Sequence, residues 1–196
     1  MLRVMILAVL VGAGAAAADC PRPVSEVAGV ELVRSEPFFA NVYRQSPEGL
    51  IETRVMERDG AEDKGSTIYI HPLAPGQQIS ANGAIMLDYT ADASELHRLD
   101  QTGQWTSVIE VQIDGQVVMT GTAEKRFVGV DTVTIGDCRT DVWLVEDRMT
   151  LGPSDGSYML LSYAPDLGLV VRAMTMAADG KPLQGVEFDQ IRELAE

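Results

Sequence analysis

The dipeptide Asp114-Gly115 constrains this chain more than any other feature of it. It separates two alternating runs, Ile109-x-Val111-x-Ile113 and Val117-x-Met119. A two-residue Asp-Gly link between such runs makes a β-hairpin, because both positions tolerate positive φ and the turn matches the twist of the strands. Asp59-Gly60, Asp155-Gly156 and Asp179-Gly180 mark other reversals. Between these turns, β-branched and aromatic residues gather in short runs. They predict strands over residues 30–34, 38–44, 50–58, 67–71, 79–89, 105–113, 116–122, 126–134, 141–149, 157–163 and 169–176, with a short last one within 186–191. Helical spacing is scarce. Residues 24–27 fit a single turn, and 91–99 fit a short helix with Asp92 or Ser94 near its start.

Alternation along some strands predicts which face is covered. Glu52 and Arg54 oppose Ile51 and Val55, so this strand is expected to have one wet face. Residues 142–145 and 159–161 are apolar at successive positions, which places them centrally with both faces covered, or facing a lumen and a lid at once. On the order of a dozen consecutive antiparallel strands must bury a face as a sandwich, a barrel or one strongly curved sheet. No repeat, low-complexity tract or linker interrupts them, so residues 19–196 read as one domain.

The N-terminus reads as an address. Met1 and Arg3 start it, residues 4–11 are apolar, and 12–18 are all small, ending in Ala16-Ala17-Ala18. This is the pattern of a cleaved export signal over residues 1–18, with the mature chain starting at Asp19. The apolar core is far short of the roughly 20 residues that span a membrane, and no later segment spans either. Lipidation of Cys20 needs a small residue before it, and Asp19 stands there. The expected product is therefore a soluble periplasmic protein without a lipid anchor.

Removing the leader, which holds Arg3 and no acid, takes the formal charge from −14 to −15. That charge argues against nucleic acid and against electrostatic docking on anionic lipid. The acids are spread along the chain, which suits solubility through self-repulsion. Cys20 and Cys138 are the two cysteines, and in an oxidising compartment they are expected to form a disulfide.

Several motifs were weighed for chemistry. Gly152-Pro153-Ser154-Asp155-Gly156 has the G-x-S-x-G spacing of a nucleophile turn. That motif needs a following helix and a later histidine, whereas here a strand follows and both His71 and His97 come earlier. The two histidines have no local carboxylate set, and two cysteines with two distant histidines lack zinc spacing. The acid-rich stretches 59–63 and 88–100 lack calcium-loop spacing, and no phosphate or dinucleotide loop occurs. No catalytic residue, metal ligand or cofactor is therefore assigned. Trp105, Trp143, Met159, Tyr163 and Met174 belong to a late cluster of aromatics and methionines suited to lining a lipophilic cavity. Filling a solid core is the default reading of the same residues.

Two segments carry a resemblance. One is Val128-Gly129-Val130-Asp131-Thr132-Val133-Thr134-Ile135-Gly136-Asp137-Cys138 with the strand after it, and the other is Tyr163-Ala164-Pro165-Asp166-Leu167-Gly168-Leu169-Val170-Val171-Arg172. Together with the layout Tyr89…Leu99…Gly103-x-Trp105, they resemble a family of uncharacterised bacterial periplasmic β proteins over about residues 85–176. The resemblance implies an all-β fold: a single strongly curved antiparallel sheet, a half-barrel or open barrel of about 10–12 strands, shaped like the envelope lipoprotein carriers. It brings no catalytic residue. The functions this reading leaves are a non-catalytic binding or scaffold protein of the cell envelope, a carrier for a lipid or other lipophilic ligand, and an enzyme with an unrecognised site.

Overall fold

The Asp114-Gly115 turn forms as its two residues dictate. In the structure, a computed structural model describing residues 20–58, 60–152 and 156–195, Asp114 and Gly115 have φ of 51° and 73°. These are the paired positive angles of a type I′ turn, and Ile113 pairs with Gln116 across it. Residues 1–18, the cleavage site and Ser154 lie outside the described residues.

Thirteen strands form one antiparallel sheet: β1 (Val30–Arg34), β2 (Phe39–Ser46), β3 (Gly49–Arg58), β4 (Ala61–His71), β5 (Ala74–Ser80), β6 (Gly83–Tyr89), β7 (Gln104–Ile113), β8 (Gln116–Ile135), β9 (Cys138–Leu151), β10 (Ser157–Ala164), β11 (Leu169–Met176), β12 (Pro182–Glu187) and β13 (Gln190–Glu193). From β1 to β12 each strand pairs with the next in sequence, and β13 returns to pair with β1. Between β6 and β7 lie a 3-10 turn (Ala93–Arg98) and one short helix, α1 (Leu99–Thr102). Asp92 caps this segment by accepting the Ser94 N–H at 2.8 Å, and Leu96 and Leu99 are fully buried beneath it. The fold is thus the expected all-β curved sheet.

Several boundaries differ from the sequence reading, among them β4, which starts at Ala61 and not at residue 67, and β5, of which that reading holds only residues 79–80. The run 79–89 breaks at Ala81-Asn82, where Ser80 pairs with Gly83 and Gly83 takes a φ of 120°. Runs 116–122 and 126–134 join into the 20-residue β8. Its middle, Ala123-Glu124-Lys125, has poor strand propensity, yet Ala123 and Lys125 are wholly buried on the inner face. Pairing and burial override propensity there. The last predicted strand divides between β12 and β13.

That division explains how the sheet is held. Every neighbouring pair is antiparallel, so β12 and β13 point the same way. Residues 182–193 are one run of chain that pairs first with β11 and then with β1. The ladder itself is open, with β12 and β13 as its two edges. Only Phe188 and Asp189 separate them, so at this corner the edges lie within about 11 Å. Asp189 fastens the corner, donating its N–H to the Val33 carbonyl and accepting from the Ser35 N–H.

The long strands serve two cores. On β9, Val142 and Leu144 point into a cluster with Val30, Leu32, Ile135 and Leu169. Trp143 and Val145, on the other face, enter a second cluster with Leu73, Leu96, Trp105, Ala123 and Tyr163. Residues 142–145 are apolar at every position because each face meets a different core. The Cys20–Cys138 disulfide ties the N-terminal segment to the start of β9, and Cys138 is buried. Its two halves are 118 residues apart. In the chain-entropy account a loop of this length contributes about 4–5 kcal/mol. Leu167, in the turn after β10, is buried in the first core, and Gly168 supplies the positive φ of 69° that the turn needs.

Candidate functional site: an interior cavity between the two cores

Strand alternation brings polar and aromatic residues of three strands to one inner wall. Tyr43 on β2 pairs with Glu52 on β3, Asn41 pairs with Arg54, and Tyr69 on β4 pairs with Leu50. Directly paired residues share a face, so Asn41, Tyr43, Glu52, Arg54 and Tyr69 project together. They line a cavity of about 290 Å³. The other wall is mainly apolar, from Met159 and Leu161 on β10 and Val170 and Ala173 on β11, with Arg172 on β11 and Asp147 on β9 also in the lining. Tyr43, Tyr69 and Phe188 belong to the first core, and Leu73, Met159 and Leu161 to the second, so the cavity separates the two.

This corrects the expectation for β3. The face carrying Glu52 and Arg54 points inward, and Glu52 is only 4% exposed. The polar alternation was legible, but it marks a polar interior and not a wet exterior.

The wall is partly satisfied. The Tyr69 hydroxyl donates to Glu52 Oε2 at 2.5 Å, and Asn41 Nδ2 donates to the Tyr43 hydroxyl at 3.1 Å. Among the described residues, no donor reaches Asn41 Oδ1, which is buried. Burial pushes the Glu52 carboxyl above its ordinary range, opposed by the Tyr69 hydrogen bond and the Arg54 charge. Burial and the neighbouring Glu52 also push Tyr43 and Tyr69 well above the ordinary phenol value.

A second polar group borders the same space. Asp147, which lines the cavity, forms an ion pair with the wholly buried Lys125 directly across the β8–β9 ladder. His71, at the end of β4, stacks edge-on with His97 at 4.6 Å between ring centroids. Its Nδ1 accepts the Leu73 N–H at 3.1 Å, so Nε2 carries the proton, and among the described residues this buried N–H meets no acceptor. Burial, then His97 and Lys125, hold His71 down at about 3. The topology brings the two histidines together, but among the described residues no third metal-ligating group joins them. With the Nδ1 lone pair taken by the Leu73 N–H, the enclosed His71 ring presents no free basic nitrogen to a substrate.

Of the residues singled out from the sequence, Met159 lines the cavity. Trp105 is buried in the second core, where its Nε1–H donates to the Asp92 carbonyl at 3.1 Å. Trp143 and Tyr163 pack together in that core at 5.6 Å between centroids. Met174 lies opposite Gly185, between β11 and β12. The residues that shape the polar wall were not picked out. Their signal was present as alternating pairs, Asn41-x-Tyr43, Glu52-x-Arg54 and Thr67-x-Tyr69, on three successive strands.

Among the described residues no helix is long and apolar enough to cross a membrane. No protein-family model matches the chain, and comparison with curated proteins and with solved structures finds no match.

Proposed function

We propose that this chain is an exported, non-catalytic binding protein of the cell envelope that holds a small, largely apolar ligand between its two cores. The observation that carries this is the cavity of about 290 Å³, with one mainly apolar wall and one wall of convergent polar groups. Small-molecule sites have this composition. The space equals that of about ten waters, which suits a small molecule or one short apolar chain and not a two-chain lipid. The leader-like residues 1–18 and the Cys20–Cys138 disulfide support an oxidising compartment. The formal charge of −14 gives no support to nucleic acid as a partner.

The test is native mass spectrometry of the full chain, expressed with its leader in a bacterium and recovered from the periplasm. The expected spectrum shows a mature chain starting at Asp19, with the disulfide formed and a small molecule bound in a fraction of the population. Retention of residues 1–18, or an empty protein that binds no member of a small-molecule library, contradicts the reading.

A scaffold role is the second reading. Ile113, Val117, Val118 and Met119, around the β7–β8 turn, are each 41–53% exposed, which suits contact with another protein. Cross-linking from this turn in intact cells tests it; no specific protein adduct counts against it.

A further inference from the structure

The polar wall of the cavity has a sign that restricts what can sit there. Glu52 uses Oε2 to accept from Tyr69, and among the described residues no hydrogen bond reaches Oε1. Asn41 Oδ1, in the adjacent strand of the same wall, also lacks a donor. With the amide turned, Oδ1 takes the Tyr43 hydroxyl and Nδ2 is left over, so Asn41 calls for a ligand polar group in either orientation, and Glu52 Oε1 alone fixes the need for a donor. A buried acceptor without a donor costs about 1–3 kcal/mol, and a ligand N–H or O–H group recovers it.

Charge narrows the choice further. The Glu52 charge is offset by Arg54 on the same wall, the Asp147 charge by Lys125, and the Arg172 charge by Asp131 and Glu187. The cavity is therefore balanced before a ligand enters. A carboxylate ligand would have to compete with Glu52 for Arg54, or with Asp131 and Glu187 for Arg172. An ammonium ligand would have to compete with Arg54 for Glu52, or with Lys125 for Asp147. Either ion loses its hydration to enter a site whose opposite charges are already engaged, and that is expensive. On the far wall, Met159, Leu161 and Val170 offer apolar contact to the body of a ligand.

Resting on the cavity reading above, we infer that the ligand is a neutral amphiphile whose polar end carries an N–H or O–H donor, as a carboxamide or an alcohol does. Its head meets Glu52 Oε1 and Asn41, and its body lies against Met159, Leu161 and Val170.

The experiment uses the mature chain with its disulfide intact. Hexanamide, hexan-1-ol, hexanoate and hexylammonium are compared at pH 7 by ligand-observed NMR titration. These four probes share one apolar body and differ in the head. Hexanamide and hexan-1-ol are expected to bind about tenfold tighter than either ion, the ratio that one net hydrogen bond of about 1.4 kcal/mol gives. Glu52→Met is expected to remove that preference, and Glu52→Gln, which keeps an acceptor, to retain it. Because the head-group comparison is made on the unaltered chain, it does not depend on either variant folding. Hexanoate or hexylammonium binding as tightly as hexanamide overturns the inference and leaves the cavity reading standing. Failure of all four to bind overturns both.

Discussion

Two buried polar groups share the interior of this sheet and are built differently. Lys125 and Asp147 sit opposite each other on β8 and β9, and the ammonium meets the carboxylate directly. On β2 and β3, Glu52 has one oxygen engaged by Tyr69, while Asn41 Oδ1 has no donor among the described residues. The first group compensates its burial within the protein, and the second does so only in part. Burial of charge alone therefore does not distinguish a binding wall from a structural strut. The distinguishing feature is an acceptor without a donor beside open space.

The largest expected effect breaks the closed pair. Lys125→Met leaves Asp147 without its countercharge, and loss of one member of a buried pair costs about 3–5 kcal/mol. Urea unfolding should show this loss, and Lys125→Met/Asp147→Leu should recover most of it. Equal destabilisation by the single and double variants would mean that the pair is not coupled.

A smaller effect comes from His71, which lies beside the closed pair. Its folded value of about 3 lies below the usual 6.5 of a free histidine. The stability it contributes is full above pH 6.5 and is lost as pH falls toward 3. At about 1.4 kcal/mol per unit this loss amounts to a few kcal/mol. His71→Asn keeps an acceptor for the Leu73 N–H and does not titrate in this range. Between pH 7 and pH 4 the urea midpoint of this variant should fall less than that of the parent chain. Parallel curves would remove His71 from the account.

The smallest effect belongs to the open group. The folded value of Glu52 is raised, so its contribution is present below the ordinary carboxylate range and is lost as pH rises through the folded value. Glu52→Gln removes that penalty and still accepts from Tyr69. At pH 7 it should be as stable as the parent or slightly more so, in contrast to Lys125→Met. A loss as large as that of Lys125→Met would make the two groups alike.

Sequence reasoning reached these two groups unequally. Hairpins set by local turn chemistry were legible, as at Asp114-Gly115, because two residues decide the turn. Asn82-Gly83 carries a similar signal but sits inside a continuous strand-like run, and it was read through. β8 was divided at Ala123-Glu124-Lys125 because propensity is local, whereas the burial of Lys125 depends on Asp147, 22 residues away. The polar wall was seen as alternation on β3, but alternation states only that two faces differ. Which face is inside follows from curvature and from residues 182–193, of which Val186 and Phe188 line the same space. Both are properties of the whole sheet. The Cys20–Cys138 pairing was legible by contrast, because the chain has only these two cysteines.

The central claim is that space remains between the two cores. Ala173→Leu tests it most directly, because Ala173 lines the cavity on its apolar wall. With a cavity present, the added carbons enter empty volume, and the urea midpoint should stay unchanged or rise. A loss of about 1–3 kcal/mol, the usual result of forcing bulk into a filled core, would contradict the account.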